Sequence, residues 1–153
     1  MIREKNYTDG IFYQLKLTTR YIDAFAEQLF KKLDVGLSPF EFGVMDLISK
    51  SEGLCQRDLA KLMLKDRASV GRILGLLERD NYVEIQIKKR NNRIVKMLAL
   101  TNVGKEKLNV VYSKVEEIFA DVKSLFTEGE EEKIVQILKD FRNKVSLGME
   151  ILI

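Results

Sequence analysis

The chain has 153 residues with 26 Lys and Arg against 23 Asp and Glu, a net charge of +3, and 46% hydrophobic residues. This balance suits a globular protein with a buried core and argues against a disordered chain. One cysteine, Cys55, and no histidine exclude an intrachain disulfide and a zinc finger, and remove the commonest general base. No apolar run approaches the roughly 20 residues of a membrane span, and Met1 to Asn6 lack the apolar stretch of a signal peptide. The expectation is a cytoplasmic protein without catalytic residues, metal or cofactor.

In chain order, residues 1–10 read as loose. From Ile11 to Leu33, Leu15, Ile22, Phe25, Ala26, Leu29, Phe30 and Leu33 recur at helical spacing, and Asp34-Val35-Gly36 ends that helix. Ser38-Pro39-Phe40-Glu41 opens a second, with serine as cap, proline in the first turn and Glu41 closing a capping box. Phe42, Met45, Leu47 and Ile48 supply its buried face, and Gly53 follows its end. Two short helices come next, Gln56 to Met63 and about Ala68 to Arg79, separated by the polar break Lys65-Asp66-Arg67. In the second, Val70, Ile73, Leu74 and Leu77 form the buried face. Paired helices of this length are the helix-turn-helix pattern.

The period then switches to two. Val83, Ile85 and Ile87 alternate with Glu84, Gln86 and Lys88, and Ile94 to Leu100 is apolar enough to pair with them across Lys89-Arg90-Asn91-Asn92-Arg93. That is a hairpin, placed as a wing. Thr101 caps a long helix in which Leu108, Val111, Val115, Ile118, Val122 and Leu125 make a heptad stripe. Thr127-Glu128-Gly129-Glu130 is a second capping box, opening a last helix with Ile134, Leu138, Phe141, Val145 and Met149 on one face. An apolar end, Ile151-Leu152-Ile153, would be costly in water and favours packing against a second subunit over packing within the chain.

Charge is unevenly spread. Residues 1–53 hold 7 basic and 8 acidic side chains, residues 54–107 hold 13 and 6, and residues 108–153 hold 6 and 9. A basic middle third is the footprint of a nucleic-acid module, because affinity for a duplex comes first from Lys and Arg that displace counterions. With its apolar face buried, the second short helix turns Arg67, Ala68, Ser69, Gly71, Arg72 and Gly75 outward, with Ser69 and Arg72 on one face and Lys65 just before it. Gly71 and Gly75 each cost up to about 1 kcal/mol against alanine inside a helix; close approach of a neighbour and simple tolerance both account for them. The hairpin tip concentrates Lys88, Lys89, Arg90 and Arg93, suited to a narrow minor groove.

Asp66 through Val83 resembles the recognition helix and strand start of the multiple antibiotic resistance regulator (MarR) family. Leu100-Thr101-Asn102-Val103-Gly104 resembles the Leu-Thr-x-x-Gly that opens the family's long dimer helix, and Leu54 to Ala60 resembles the start of its first helix-turn-helix helix. The likeness covers nearly the whole chain. It departs at Asn81, where the family usually has glycine, at Gly71 and Ile85, often threonine and arginine, and at Asn91-Asn92-Arg93, in place of Asp-x-Arg. Arg93 is the leading wing arginine and Arg90 the second.

The resemblance implies a mainly α fold with a small β-hairpin wing (α+β). A winged helix-turn-helix domain (residues 37–101) would lie between an N-terminal dimerisation helix (1–36) and C-terminal dimerisation helices (102–153). It implies a homodimer on a pseudo-palindromic operator in double-stranded DNA, repression, and release by a small aromatic or phenolic effector. Leu15, Ile22, Leu108, Val115, Ile118, Val122, Phe141, Val145 and Leu152 are the expected interface. Tyr21, Phe25, Phe42, Met45 and Tyr112 are the candidate effector cleft, with plain core as the competing role. Cys55 reads as a packing residue rather than an oxidant sensor. Two rivals stand beside this reading. An enzyme would need more than Glu130-Glu131-Glu132, whose place in a first turn is favourable on structural grounds alone. A winged-helix adaptor that binds proteins would lack a steep salt dependence.

Overall fold

The structure is a computed structural model and describes residues 6–147. Its elements are α1 (Ile11–Leu33), α2 (Pro39–Lys50), α3 (Gln56–Met63), α4 (Arg67–Arg79), β1 (Val83–Arg90), β2 (Arg93–Leu100), α5 (Asn102–Lys123) and α6 (Glu130–Ser146). The chain is thus mainly helical, with one antiparallel hairpin among the described residues.

Two compact units divide within α2, after Gly43. In the first, α1 stops at Asp34, which takes the left-handed conformation at φ 48°, and Gly36 follows at φ 66°. The turn then closes on a reciprocal capping box. The Ser38 N–H donates to Glu41 Oε2 at 2.7 Å and the Glu41 N–H donates to Ser38 Oγ at 3.2 Å, so each side chain satisfies one of the orphan donors at a helix start. Phe30 and Phe42 meet edge to face, centroids 5.5 Å apart. The start of the chain departs from expectation. Tyr7–Asp9 form a turn of 3-10 helix closed by backbone bonds from the Asp9 N–H to the Asn6 carbonyl and from the Gly10 N–H to the Tyr7 carbonyl, both 3.0 Å. The Tyr7 ring sets its edge against Tyr13, a preferred aromatic geometry, in a segment that composition alone marks as loose. Residues 1–5 lie outside the described residues.

The second unit buries Val44, Met45, Leu59, Val70, Leu77 and Val111 almost completely, and these come from α2, α3, α4 and α5. The hairpin packs onto this core through its base, where Val83, Leu98 and Leu100 are buried. A backbone bond from the Leu98 N–H to the Leu54 carbonyl, 2.8 Å, ties the segment before α3 to β2. Register runs from Val83↔Leu100 to Arg90↔Arg93. The strands are longer and the turn shorter than the sequence suggests, because only Asn91 and Asn92 connect them. Both have positive φ, 49° and 59°, the two left-handed residues that a tight hairpin turn of matching twist requires and that Asn accepts.

Side chains also accept from backbone at three later helix starts. Asp66 caps α4 by accepting from the Ser69 N–H. Thr101 Oγ1 accepts from the Gly104 N–H at 2.9 Å, and Glu130 Oε2 accepts from the Thr127 N–H at 2.7 Å. Leu108 and Val115, expected at a subunit interface, are buried in the chain's own second unit. The heptad stripe therefore splits: its first half is core, while Val122 and Leu125 are exposed. α6 has no buried residue among those described. Leu152 and the apolar end lie outside the described residues.

Candidate nucleic-acid interface

The helix pair α3 and α4 is joined by Leu64, Lys65 and Asp66, with Leu64 in the left-handed conformation at φ 48°. Its backbone N–H donates to Ala60 and Lys61 carbonyls, which satisfies the end of α3 and turns the chain sharply into α4. Gln56, at the first position of α3, reaches across and donates from Nε2 to the Arg67 carbonyl, 3.0 Å. A Cβ on Gly71 would meet that same Nε2 at 2.8 Å, whereas a Cβ on Gly75 would meet nothing within 4 Å. A side chain at the first glycine would displace the end of Gln56 and disturb its bond to Arg67, while the second glycine faces open space.

At the start of α4 the polar side chains form a short relay. Asp66 Oδ1 accepts from the Ser69 N–H at 2.8 Å, Ser69 Oγ donates to Asp66 Oδ2 at 2.6 Å, and Arg72 Nη2 donates to Ser69 Oγ at 2.9 Å. These bonds to Ser69 hold the Asp66 carboxyl below the usual carboxylate range. Arg67 and Arg72 are exposed on this outer surface, and Ser69 is half-buried. Val70, Leu74 and Leu77 anchor the opposite face in the core, with Ile73 only half-buried.

The hairpin carries Lys88, Lys89, Arg90 and Arg93 at its distal end, all exposed. None of the four enters an ion pair among the described residues. No acidic residue stands between Glu84 and Glu106. The Coulomb field of the tip is therefore uncompensated locally, the condition for attracting a polyanion. A cleft of about 700 Å³ lies between one flank of α4, at Arg67, Gly71 and Gly75, and the hairpin, at Ile85, Ile94 and Lys96.

Of the expected DNA-contacting residues, Arg67, Ser69 and Arg72 lie together on α4, Lys65 lies in the turn before it, and Lys88, Lys89, Arg90 and Arg93 lie together on the wing. Three residues that serve the site were not singled out from sequence. Gln56 braces the helix pair, Asp66 is a cap rather than a mere polar break, and Lys96 extends the basic wing. Gly71 inside a helix was the available signal for the first, and the strand alternation of Ile94 to Leu100 for the last. Cys55 donates from Sγ to Asp58 Oδ2 at 3.0 Å, which is the main reason the Asp58 carboxyl sits below its ordinary range.

The aromatic set separates between the two units. Tyr21, Phe25 and Phe42 belong to the first, with Tyr21 and Phe25 exposed. Met45 and Tyr112 belong to the second, and Met45 has no exposed surface, so its placement is core. Tyr112 donates from Oη to Asp46, which also pairs with Lys50 at 2.6 Å. Burial, then the bond to Asp46, raises the Tyr112 phenol above its usual range. Among the described residues no group of His, Cys, Asp and Glu could hold a metal ion, and no helix is long and apolar enough to cross a membrane.

A helix pair with a three-residue turn, followed directly by a hairpin over the same core, defines a winged helix-turn-helix. The fold is that of the MarR-family transcriptional regulators. The chain superposes on a MarR/EmrR family regulator from Acinetobacter sp. ADP1 with a TM-score of 0.81 at 20% identity, covering 94% of this chain and 99% of that one. It is also similar to CouR, a transcriptional repressor solved on a 23-mer DNA duplex, with TM-score 0.76, 18% identity and coverage of 93% and 99%. S. aureus MepR, solved in complex with DNA, gives 0.73, 19%, and 92% and 99%. No protein-family model matches the chain, and no curated protein matches it by sequence.

Proposed function

We propose that the protein is a MarR-type regulator of transcription that binds double-stranded DNA sequence-specifically, as a homodimer on a pseudo-palindromic operator, and represses. The observation that carries this reading is a wing tip whose Lys88, Lys89, Arg90 and Arg93 enter no ion pair among the described residues, on the same winged helix-turn-helix core as the exposed Arg67 and Arg72 of α4. A helix presents side chains to base edges in the major groove while a basic tip reaches the flanking phosphates or minor groove. CouR and MepR, which share the fold, are solved on DNA, and this supports the same use here. Exposed apolar residues late in α5, just after it and on α6, such as Val122, Leu125 and Val145, support a second subunit, since a monomer would leave them in water.

The test is binding to the DNA flanking the protein's own gene at two salt concentrations, with random duplex as competitor. Tight, salt-sensitive binding that survives competitor is the expected result. Binding that is absent or indifferent to salt favours the protein-interaction alternative. Release by an effector belongs to the same proposal: a panel of small aromatic and phenolic acids is expected to contain one that raises the melting temperature and lowers operator affinity together.

A further inference from the structure

The wing carries apolar residues that its own fold does not use. Along β1, Val83 is 2% exposed, Ile85 43% and Ile87 70%, and on β2 Ile94 is 77% exposed. The core therefore ends at the base of the hairpin. Cross-strand partners share a face and alternate residues along a strand share a face, so the pairs Ile87↔Lys96 and Lys89↔Ile94 set all four residues on one side. Ile87 and Ile94 are diagonal neighbours there, roughly 7–8 Å apart and within reach of each other, with one lysine on either flank. The other side of the tip carries Lys88, Arg90 and Arg93.

We infer that Ile87 and Ile94 form an apolar ridge that enters the minor groove of the bound duplex while Lys89 and Lys96 engage phosphates on its two rims. This rests on the DNA-binding reading above and deepens it. Charge selects the occupant: between Glu84 and Glu106 the chain has Lys88, Lys89, Arg90, Arg93, Lys96 and Lys105 and no acid, so the surface around the ridge fits a polyanion. A minor groove about 6 Å wide excludes a two-stranded ribbon but admits side chains. Its walls are sugar C–H surface, and apolar side chains can wedge between base steps from that side. Ile85 and Ile94, on this face of the hairpin, also line the cleft beside α4.

The competing explanation is strand propensity, since a β-branched residue favours a strand whatever it touches. Replacing isoleucine by threonine separates the two, because threonine keeps the branch and loses the apolar surface. The full chain and its I87T/I94T and K89A/K96A variants are titrated, across a range of salt, against a short duplex of alternating dA and dT. A matched duplex carries 2,6-diaminopurine for adenine, which adds an amino group to the minor groove alone. I87T/I94T is expected to bind about tenfold more weakly with the salt slope unchanged, whereas K89A/K96A lowers the slope by about 2. Diaminopurine is expected to weaken the wild-type chain and to leave I87T/I94T nearly unaffected. Wild-type binding with I87T/I94T equally tight overturns the ridge alone. So does a loss in I87T/I94T that diaminopurine does not reproduce in the wild-type chain, which moves the contact to the major groove. A wild-type chain with no salt-sensitive duplex binding overturns the DNA reading and the ridge with it.

Discussion

In the free chain the Arg72 guanidinium already rests on Ser69 Oγ at 2.9 Å, and Ser69 is held in turn by the Asp66 cap. Under the proposed DNA-binding reading, a base edge would compete with one protein hydrogen bond but would meet a side chain whose direction is partly set, which would lower the ordering cost of recognition. Arg93 is set at the wing tip by the Asn91-Asn92 turn. Arg72→Ala and Arg93→Ala are each expected to weaken operator binding by about 1–3 kcal/mol without unfolding the protein, as measured by titration of labelled duplex; unchanged binding in both would sink the site assignment. The cap also predicts a pH dependence. Because its hydrogen bonds hold the Asp66 carboxyl below its ordinary range, the stability it adds is complete above that range and is lost as pH falls through the lowered folded value. Thermal melting should show Asp66→Asn less stable than wild type at neutral pH, with the gap closing in acid. A gap constant with pH would mean that the carboxylate charge plays no part. Arg72 and Ser69 were legible as residues sharing an outward face. The relay that joins them to Asp66 was not, because spacing reports a shared face but not which rotamers meet.

The junction of wing and α5 shows how one element constrains the next. Thr101 donates its N–H to the Tyr82 carbonyl at 3.0 Å, donates its hydroxyl to the Asn81 carbonyl at 2.6 Å, and accepts from the Gly104 N–H. This draws the first turn of α5 onto the chain at Tyr82, so closely that a Cβ on Gly104 would lie 2.0 Å from the Tyr82 carbonyl oxygen. No side chain fits there, and the neighbour is backbone that cannot step aside. Gly104→Ala is expected to destabilise the fold by about 3 kcal/mol, at the upper end for overpacking, measured by urea unfolding; a loss below that of an exposed Gly→Ala substitution in the same helix would contradict the close approach. The motif Leu-Thr-x-x-Gly was readable in the sequence as a likeness, and the capping threonine as chemistry. The need for glycine was not, since the carbonyl it faces lies 22 residues earlier in the chain. Asn81, at φ 59°, supplies the left-handed turn that lets the chain double back, as its side chain permits.

At the scale of the whole molecule the apolar surface that remains is the clearest signal. The stripe on α5 starts in the core with Leu108, Val111 and Val115 and ends exposed at Val122, with Leu125 just past the helix 78% exposed. α6 adds Ile134 and Val145, both exposed. Ile118 is half-buried where the stripe leaves the core, so a charge there falls on the face proposed to meet the second subunit. Ile118→Asp is expected to give a folded monomer with little operator affinity, read by light scattering alongside duplex titration. A monomer that binds tightly would refute assembly through these helices. Element type and order were legible from periodicity, capping boxes and the switch of period at Val83, because those are local properties of a chain that must bury one face of each element. The basic middle third was legible because charge is counted without folding. What only the tertiary structure decided is which apolar positions the chain covers for itself, which side chains brace the helix pair, and which wing residues remain outside the core. Periodicity shows that a face is apolar, but what covers that face depends on contacts between residues far apart in sequence.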